Sequence, residues 1–436
     1  MIRFLTPLAA LLYCFVWLRP PQLGGVALPV QRVLAWAALA VLASRLLLKG
    51  PLVAGPGARG FLRWVSVFFG FLLLTLIRQL AFGENFHLLY FVMDLSKYAA
   101  GFGAAYLCYY ALSANLVPAR RMVIAIVLSG VVATVLVYMF LGLYFAGFRT
   151  ENQVIAPTFG GALGVWPTGG FLPRLAGTTA EPQQLSVALL TPLLLMFSPQ
   201  YIRRFWPVAV LSIVALVLSQ SKFALISLAM TGLYLFLVYR RSRLPILAGG
   251  VVLLPPLAFA LLKLPTFAGT LEAGFNAGAI VERLGNLLLL IGIIRAHPLL
   301  GIGAGNYGVV RGEMLFGDWR YEPGYTPNMD FLKVFAENGV AGFLLLLTLL
   351  GFLLRLFVRG ARTVSAEDRP IYLAFLVGAV AIVLNMTIGY ELLHAFFWIN
   401  IGVLLYYVDG SRGARGRRVP PDTRSSDVVM GPVAPA

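Results

Sequence analysis

Five places in the chain combine residue types that could handle a charged, hydroxyl-rich substrate. The turn Ser219-Gln220-Ser221-Lys222 puts a cation where an apolar run begins. A helix starting there adds free backbone N–H groups, and cation plus donors make an anion site. A lysine in that place also serves as a snorkelling interfacial residue. Arg174 opens the run Arg174-Leu175-Ala176-Gly177-Thr178-Thr179-Ala180-Glu181-Pro182. Glu181 suits either the first turn of the following helix or a base facing a cavity. The string from His297-Pro298 to Tyr307-Gly308 is rich in glycine, and His297 reads either as a base or as a structural residue beside a turn proline. Asp94 and Lys97, three apart in an apolar run, share one helical face and can pair there, structurally or on an ion path. Asp318, Glu322 and Asp330 gather near Arg320 and Tyr325. Asp330 stands just before an apolar run, as a helix-start charge or as a carboxylate looking into the mouth of the bundle.

The elements that must carry these groups are membrane spans. Of 436 residues, 60% are hydrophobic and only 12% charged, too few charges to cover a soluble protein of this size. Soluble enzyme, secreted disulfide domain and nucleic-acid binder are excluded. Apolar runs long enough to span recur about twelve times, near 4–18, 28–48, 61–82, 88–112, 122–147, 184–198, 205–219, 222–239, 245–262, 331–357, 371–388 and 392–408. The glycines after His297 have no βαβ unit around them and lie on the outer side, so a dinucleotide turn is not expected there. Cys14 and Cys108 both lie in apolar runs and the three histidines are scattered, so neither a disulfide framework nor a metal site is expected.

The net charge of +17 is distributed by topology. With a cytoplasmic N-terminus, most Lys and Arg fall on alternate connections, from Arg45/Lys49/Arg59/Arg63 through Arg240/Arg241/Arg243 to Arg412/Arg415/Arg417/Arg418. Both termini are then cytoplasmic, and no cleavable signal peptide is expected. Cations on the other side, among them Arg78, Lys97, Arg174, Lys222, Arg283, Arg295, Arg311 and Lys333, run against the bias and call for a functional reason. The expected organisation is all-α and polytopic. Residues 1–262 hold helices one to nine, with an outer loop at about 148–183. A large outer loop follows at 263–330, then the last three spans at 331–408 and a disordered cytoplasmic tail at 409–436. Within the large loop, Gly278 to His297 reads as a helix whose apolar string Leu287–Leu290 lies at the interface or on the bundle.

Taken in order, these fragments resemble the O-antigen ligase/polymerase family of bacterial inner-membrane glycosyltransferases, from about Arg174 to Leu347. The carrying pieces are Arg174-x-x-Gly177 with Glu181-Pro182, Ser221-Lys222-Phe223-Ala224, and Arg283 ahead of His297-Pro298-Leu299-Leu300-Gly301-Ile302-Gly303. Asp330-Phe331-Leu332 leading to Glu337-Asn338-Gly339-Val340-Ala341-Gly342 completes the set. Two departures stand out. The family usually shows Ser-Arg where this chain has Ser221-Lys222, which keeps the charge and loses the bidentate fork. Ligases carry a histidine before the late span, and counting back from Gly339 puts Asn328 there.

The resemblance implies glycosyl transfer from an undecaprenyl-diphosphate-linked oligosaccharide at the periplasmic face of the inner membrane. Cations can stabilise a diphosphate leaving group without a metal or other cofactor. Lys222, Arg283 and Arg174 are the expected diphosphate ligands, with Arg295 in reserve. Asp330, Glu181 and His297, in that order, are the expected bases for the acceptor hydroxyl. Because Asn cannot act as a base, polymerisation of O-antigen or exopolysaccharide repeat units is the first expectation. Ligation of the glycan to lipid A–core is the alternative, and transport of a lipid-linked glycan is a third reading. Membrane lipid is the expected surrounding and a polysaccharide chain-length regulator a candidate partner; nucleic acid is not one.

Overall fold

The computed structural model describes residues 2–15, 36, 40, 54–82, 86–147, 164–166, 173–179, 182–239, 277–316, 327, 329–387, 389, 392 and 394–416. In chain order the helices are α1 (Ile2–Leu11), α2 (Pro56–Phe82), α3 (Leu88–Ser113) and α4 (Ala119–Phe145). Then come α5 (Pro182–Ala188), α6 (Leu190–Met196), α7 (Ile202–Leu218), α8 (Lys222–Val238), α9 (Ala277–Ala296) and α10 (Tyr307–Phe316). The last three are α11 (Asp330–Gly360), α12 (Arg369–Asn385) and α13 (Ala395–Gly416). Three of them, over Pro56–Ala81, Ala119–Phe145 and Asp330–Gly360, are long and apolar enough to cross a membrane. Shorter apolar helices lie beside them, among them Lys222–Val238 and Arg369–Asn385. The runs near 28–48 and 245–262 lie outside the described residues.

The run near 184–198 is helical over Pro182–Met196, with α5 and α6 continuous through Leu189. The structure departs from the sequence expectation in two places. The segment 148–183 contains a small antiparallel hairpin, β1 (Gly164–Trp166) with β2 (Arg174–Gly177), in which Trp166 faces Arg174. The last helix continues to Gly416, into the stretch expected to be disordered; 417–436 lie outside the described residues.

Packing follows the rules of helices in lipid, where small residues let backbones approach and van der Waals contact replaces the hydrophobic drive. The closest partners are α3 and α13. Gly101 faces the Trp398 indole and Gly402 faces the Ala105 carbonyl, so a methyl group at either position has no room. Trp398 is buried, stacks edge-on against Phe102 and donates its indole N–H to the Leu392 carbonyl at 2.7 Å. The outward faces are apolar: Leu73, Leu74, Ile77 and Leu80 of α2 are all at least half exposed. An exposed apolar stripe of that kind suits contact with acyl chains.

Polar contacts define the two ends of the bundle. At one end Tyr239 and Gln200 reach the carbonyls of Phe197 and Glu367, and Tyr372 reaches that of Phe357. Arg203, Arg204, Arg359, Arg362 and Arg369 sit at this end, so basic clusters far apart in sequence are gathered together. There too the start of α2 is completed by the last helix. Asp409 accepts from the backbone N–H groups of Gly57 and Ala58 at 2.8 and 3.1 Å, two of the donors that a helix N-terminus leaves unpaired. Tyr234 near the end of α8 meets Pro370 at the start of α12, so these helices run antiparallel. Lys222 and Asn385 therefore share the opposite end.

Candidate functional site

The end of the bundle that carries Lys222 is built around a break in α11. Its backbone leaves the helical region at Gly339 (φ 64°, ψ −174°), a conformation open almost only to glycine. A break in a helix frees carbonyls before it and N–H groups after it, and buried ones must be paired. The glycine-rich turn after α9 pairs them. Ile302 and Gly303 donate to the carbonyls of Ala336 and Glu337 at 3.2 and 2.8 Å. Val340 and Ala341 donate to the carbonyls of Pro298 and Leu299 at 2.8 and 3.3 Å. Gly301 (φ 67°) lies against the Glu337 carbonyl, where no β-carbon fits. Gln79 and Arg78 of α2 both donate to the Gly301 carbonyl, at 2.9 and 3.3 Å. Asn306 accepts from the His87 N–H at 2.8 Å, which ties the turn to the start of α3. The run from His297 to Gly308 is thus a structural lock on the break, beside its role as a turn ending α9.

Below the lock lies a chain of buried charges. Asp94 of α3 binds Lys97 through one carboxylate oxygen and Lys333 of α11 through the other, the latter at 2.7 Å. Lys333 continues to Glu337 at 3.5 Å, and Glu337 accepts from the Tyr307 N–H at the start of α10 at 3.3 Å. Asp94, Lys333 and Glu337 are all buried. The Asp94–Lys97 pair expected from its spacing is present. Lys333 and Glu337 were not read as its partners, and the only local signal was a cation placed against the topological bias. Arg78, Arg311 and Lys333, cations placed against the topological bias, make contacts between elements, and Lys97 pairs with Asp94 within α3.

Two of the expected diphosphate ligands are brought to one place. Ser221 is the N-cap of α8 and accepts from the Phe223 N–H at 3.2 Å, leaving Lys222 as the first helical residue, exposed. Before it Gln220 takes a left-handed conformation (φ 48°), which sharpens the turn out of α7. Arg174, at the start of β2, donates from Nε to the Ser219 carbonyl of that same turn at 3.4 Å. Behind it Ser186 and Ser219 share a hydrogen bond at 2.9 Å, and Ser227 donates to the Ser186 carbonyl at 2.9 Å. A hairpin arginine and a helix-start lysine thus meet at one turn, a cationic corner at a helix N-terminus.

The other candidates are placed differently. Asp330 is buried at the first turn of α11. Its Oδ2 accepts from the Leu392 N–H at 2.7 Å, and its own N–H donates to the Gly389 carbonyl at 2.9 Å. It therefore clamps the start of α11 to the connection between α12 and α13, at the end of the bundle that Lys222 shares. Arg295 and His297 are exposed at the C-terminal end of α9, where a cation complements the helix dipole. Arg283 lies in the first half of α9; its side chain, Glu181 and Asn328 lie outside the described residues.

Residues 207–347 match the protein family described as O-antigen ligase. The match runs from α7 through the lock and the broken helix. It includes Lys222, Arg283, Arg295, His297 and Asp330, while Arg174 and Glu181 precede it. No curated protein matches the chain.

Proposed function

We propose that the protein transfers a glycan from an undecaprenyl-diphosphate carrier to an acceptor hydroxyl at the periplasmic face of the bacterial inner membrane. In this reading the chain crosses the membrane about twelve times, with both termini and the basic end of the bundle in the cytoplasm. The end with Lys222 then faces the periplasm. The observation that carries the proposal is the meeting of Arg174 with the Ser219–Lys222 turn at a helix N-terminus. In the reaction, the bond between the sugar anomeric carbon and the diphosphate oxygen breaks, and its electron pair leaves with the diphosphate. The acceptor oxygen bonds to that carbon and gives its proton to a base. Diphosphate is already a good leaving group, so charge stabilisation by Lys222, Arg174 and Arg283 supplies the larger share. Asp330 is the proposed base.

The family description favours the ligase form, with lipid A–core as acceptor. This differs from the first expectation of a polymerase. Asn328, where ligases carry histidine, is the observation in favour of polymerisation. One assay separates the two. Purified protein in lipid receives a polyprenyl-diphosphate-linked repeat unit, with no nucleotide sugar, and lipid A–core is then added. Transfer only after that addition means a ligase; a ladder of longer lipid-linked glycans without it means a polymerase. No transfer under either condition by folded protein would overturn glycosyl transfer.

Two substitutions test the roles. Lys222→Ala is expected to lower the transfer rate by about 10²- to 10³-fold, the usual effect of removing one preorganised donor, whereas Lys222→Arg keeps most of it. Asp330→Asn retains an oxygen that accepts from Leu392 N–H and removes the proton acceptor. It is expected to lower turnover by about 10²- to 10⁴-fold with little change in melting temperature. Full turnover in that variant would leave Asp330 with its clamp role alone.

A further inference from the structure

We infer that Asn286 is a positioning residue for Arg283, holding α9 in register with the membrane bundle through α10. The inference rests on the reading of Arg283 as a diphosphate ligand. The C-terminal half of α9 is fastened by apolar contact: Leu290 and Ile293 are buried against Ile302, Tyr307 and Ala336. Nearer the N-terminus the outer face is open, with Leu284 and Leu288 half exposed or more. Asn286 lies between them and is 7% exposed, a buried amide on a helix whose other buried residues, among those described, are apolar.

Its Oδ1 takes two hydrogen bonds, both from α10: one from the Tyr307 hydroxyl at 3.3 Å and one from Arg311 Nε at 3.0 Å. A carbonyl oxygen has two lone pairs, and two donors from one helix fix its direction as well as its distance. Tyr307 faces both ways. Its hydroxyl holds Asn286 while its backbone N–H donates to Glu337, which pairs with Lys333 and, through it, Asp94. Polar contacts therefore run unbroken from α3 through α11 and α10 to α9. Arg283 stands three residues before Asn286, one turn away on the same side of the helix and about 4.5 Å along its axis. Whatever fixes the rotation and height of Asn286 fixes the place of the Arg283 backbone. A displacement of about 1 Å in such a group can lower a rate about 100-fold. A neutral amide suits the task better than a carboxylate, which would put a negative charge one turn from a residue meant to receive diphosphate.

The test has a kinetic and a structural arm. In the first, transfer rates are measured for Asn286→Leu, Arg283→Gln and the double variant. Asn286→Leu is expected to lower kcat about 10- to 100-fold with a smaller change in KM, and to add less than about twofold in the Arg283→Gln background. Equal losses in both backgrounds would mean general destabilisation and overturn the positioning role. Wild-type transfer by Arg283→Gln would overturn the diphosphate reading of Arg283, and the purpose assigned to Asn286 with it. The second arm needs no activity. Spin labels at Leu288 of α9 and Leu89 of α3, both well exposed, report their separation. Asn286→Leu should shift or broaden that distance distribution, and Asn286→Asp, which keeps the acceptor oxygen, should leave it as in the wild type. An unchanged distribution in Asn286→Leu overturns the anchoring whatever the kinetics. Tyr307→Phe removes one hydroxyl without a change of shape and serves if Asn286→Leu does not fold. Its expected effects are about 3- to 10-fold in kcat, absent in the Arg283→Gln background.

Discussion

Gly339→Ala is expected to destabilise the protein by roughly 3 kcal/mol or more, among the larger effects a single methyl group can have. Two costs add. At φ 64° and ψ −174° an L-residue is strained in its own backbone. The added β-carbon also meets the Leu299 carbonyl, a backbone atom already engaged by the Ala341 N–H, so it cannot swing aside. Relief comes only by separating the glycine-rich turn from the broken helix, which strands the hydrogen bonds between 298–303 and 336–341. Gly351→Ala, on the same helix, is the control. A β-carbon there meets nothing within 4 Å, so the change should be neutral or stabilising by about 0.5–1 kcal/mol. Thermal unfolding of both variants in detergent decides the matter. Equal melting temperatures would mean that the break is not held as described.

The second large effect belongs to Lys333. Lys333→Met removes the cation shared by Asp94 and Glu337 and leaves the Glu337 carboxylate buried with backbone donors from Gly305 and Tyr307 but no cation beside it. Truncating one member of a buried ionic group commonly costs about 3–5 kcal/mol, most of it the stranded charge. Asp94 keeps Lys97 as a partner, so the stranded charge is chiefly that of Glu337. The sign of the remedy follows: Lys333→Met with Glu337→Gln should recover a large part of the loss, because an amide can still accept from Tyr307 N–H and carries no charge. If the double variant melts no higher than Lys333→Met alone, the penalty is one of packing rather than of charge.

Much of the architecture was legible because it rests on local pattern. The helix expected at Gly278–His297 is α9, Ala277–Ala296, and its apolar string packs on the bundle. Asp94 and Lys97 declared their pairing by spacing alone. The Ser221–Lys222 turn opens α8 as its N-cap chemistry demands. What escaped was long-range. Lys333 lies 239 residues from Asp94, and nothing in either apolar run names the other. The string from His297 to Gly303 and the one from Glu337 to Gly342 were each recognised. That they bond to one another was invisible, since both answer a single backbone event at Gly339. The hairpin of β1 and β2 was missed because strands of three and four residues show too little alternation to stand out. At the candidate site, Lys222 and Arg174 stood out in sequence as cations beside apolar runs. Several that defy the topological bias hold helices together, and burial with a partner looks in sequence like exposure to a substrate.

The Asp409 cap also bears on the order in which the molecule can be built. Translation delivers the start of α2 hundreds of residues before the carboxylate that completes it. The other end of the chain repeats the arrangement: the Tyr13 hydroxyl donates to Asn400 Oδ1 at 2.8 Å, and the two residues are 387 apart. Both contacts can form only once α13 has been made. Contacts of such sequence separation are expected to close late in assembly. Ribosome-bound chains ending before α13 are expected to be more readily cut by a protease than chains that include it.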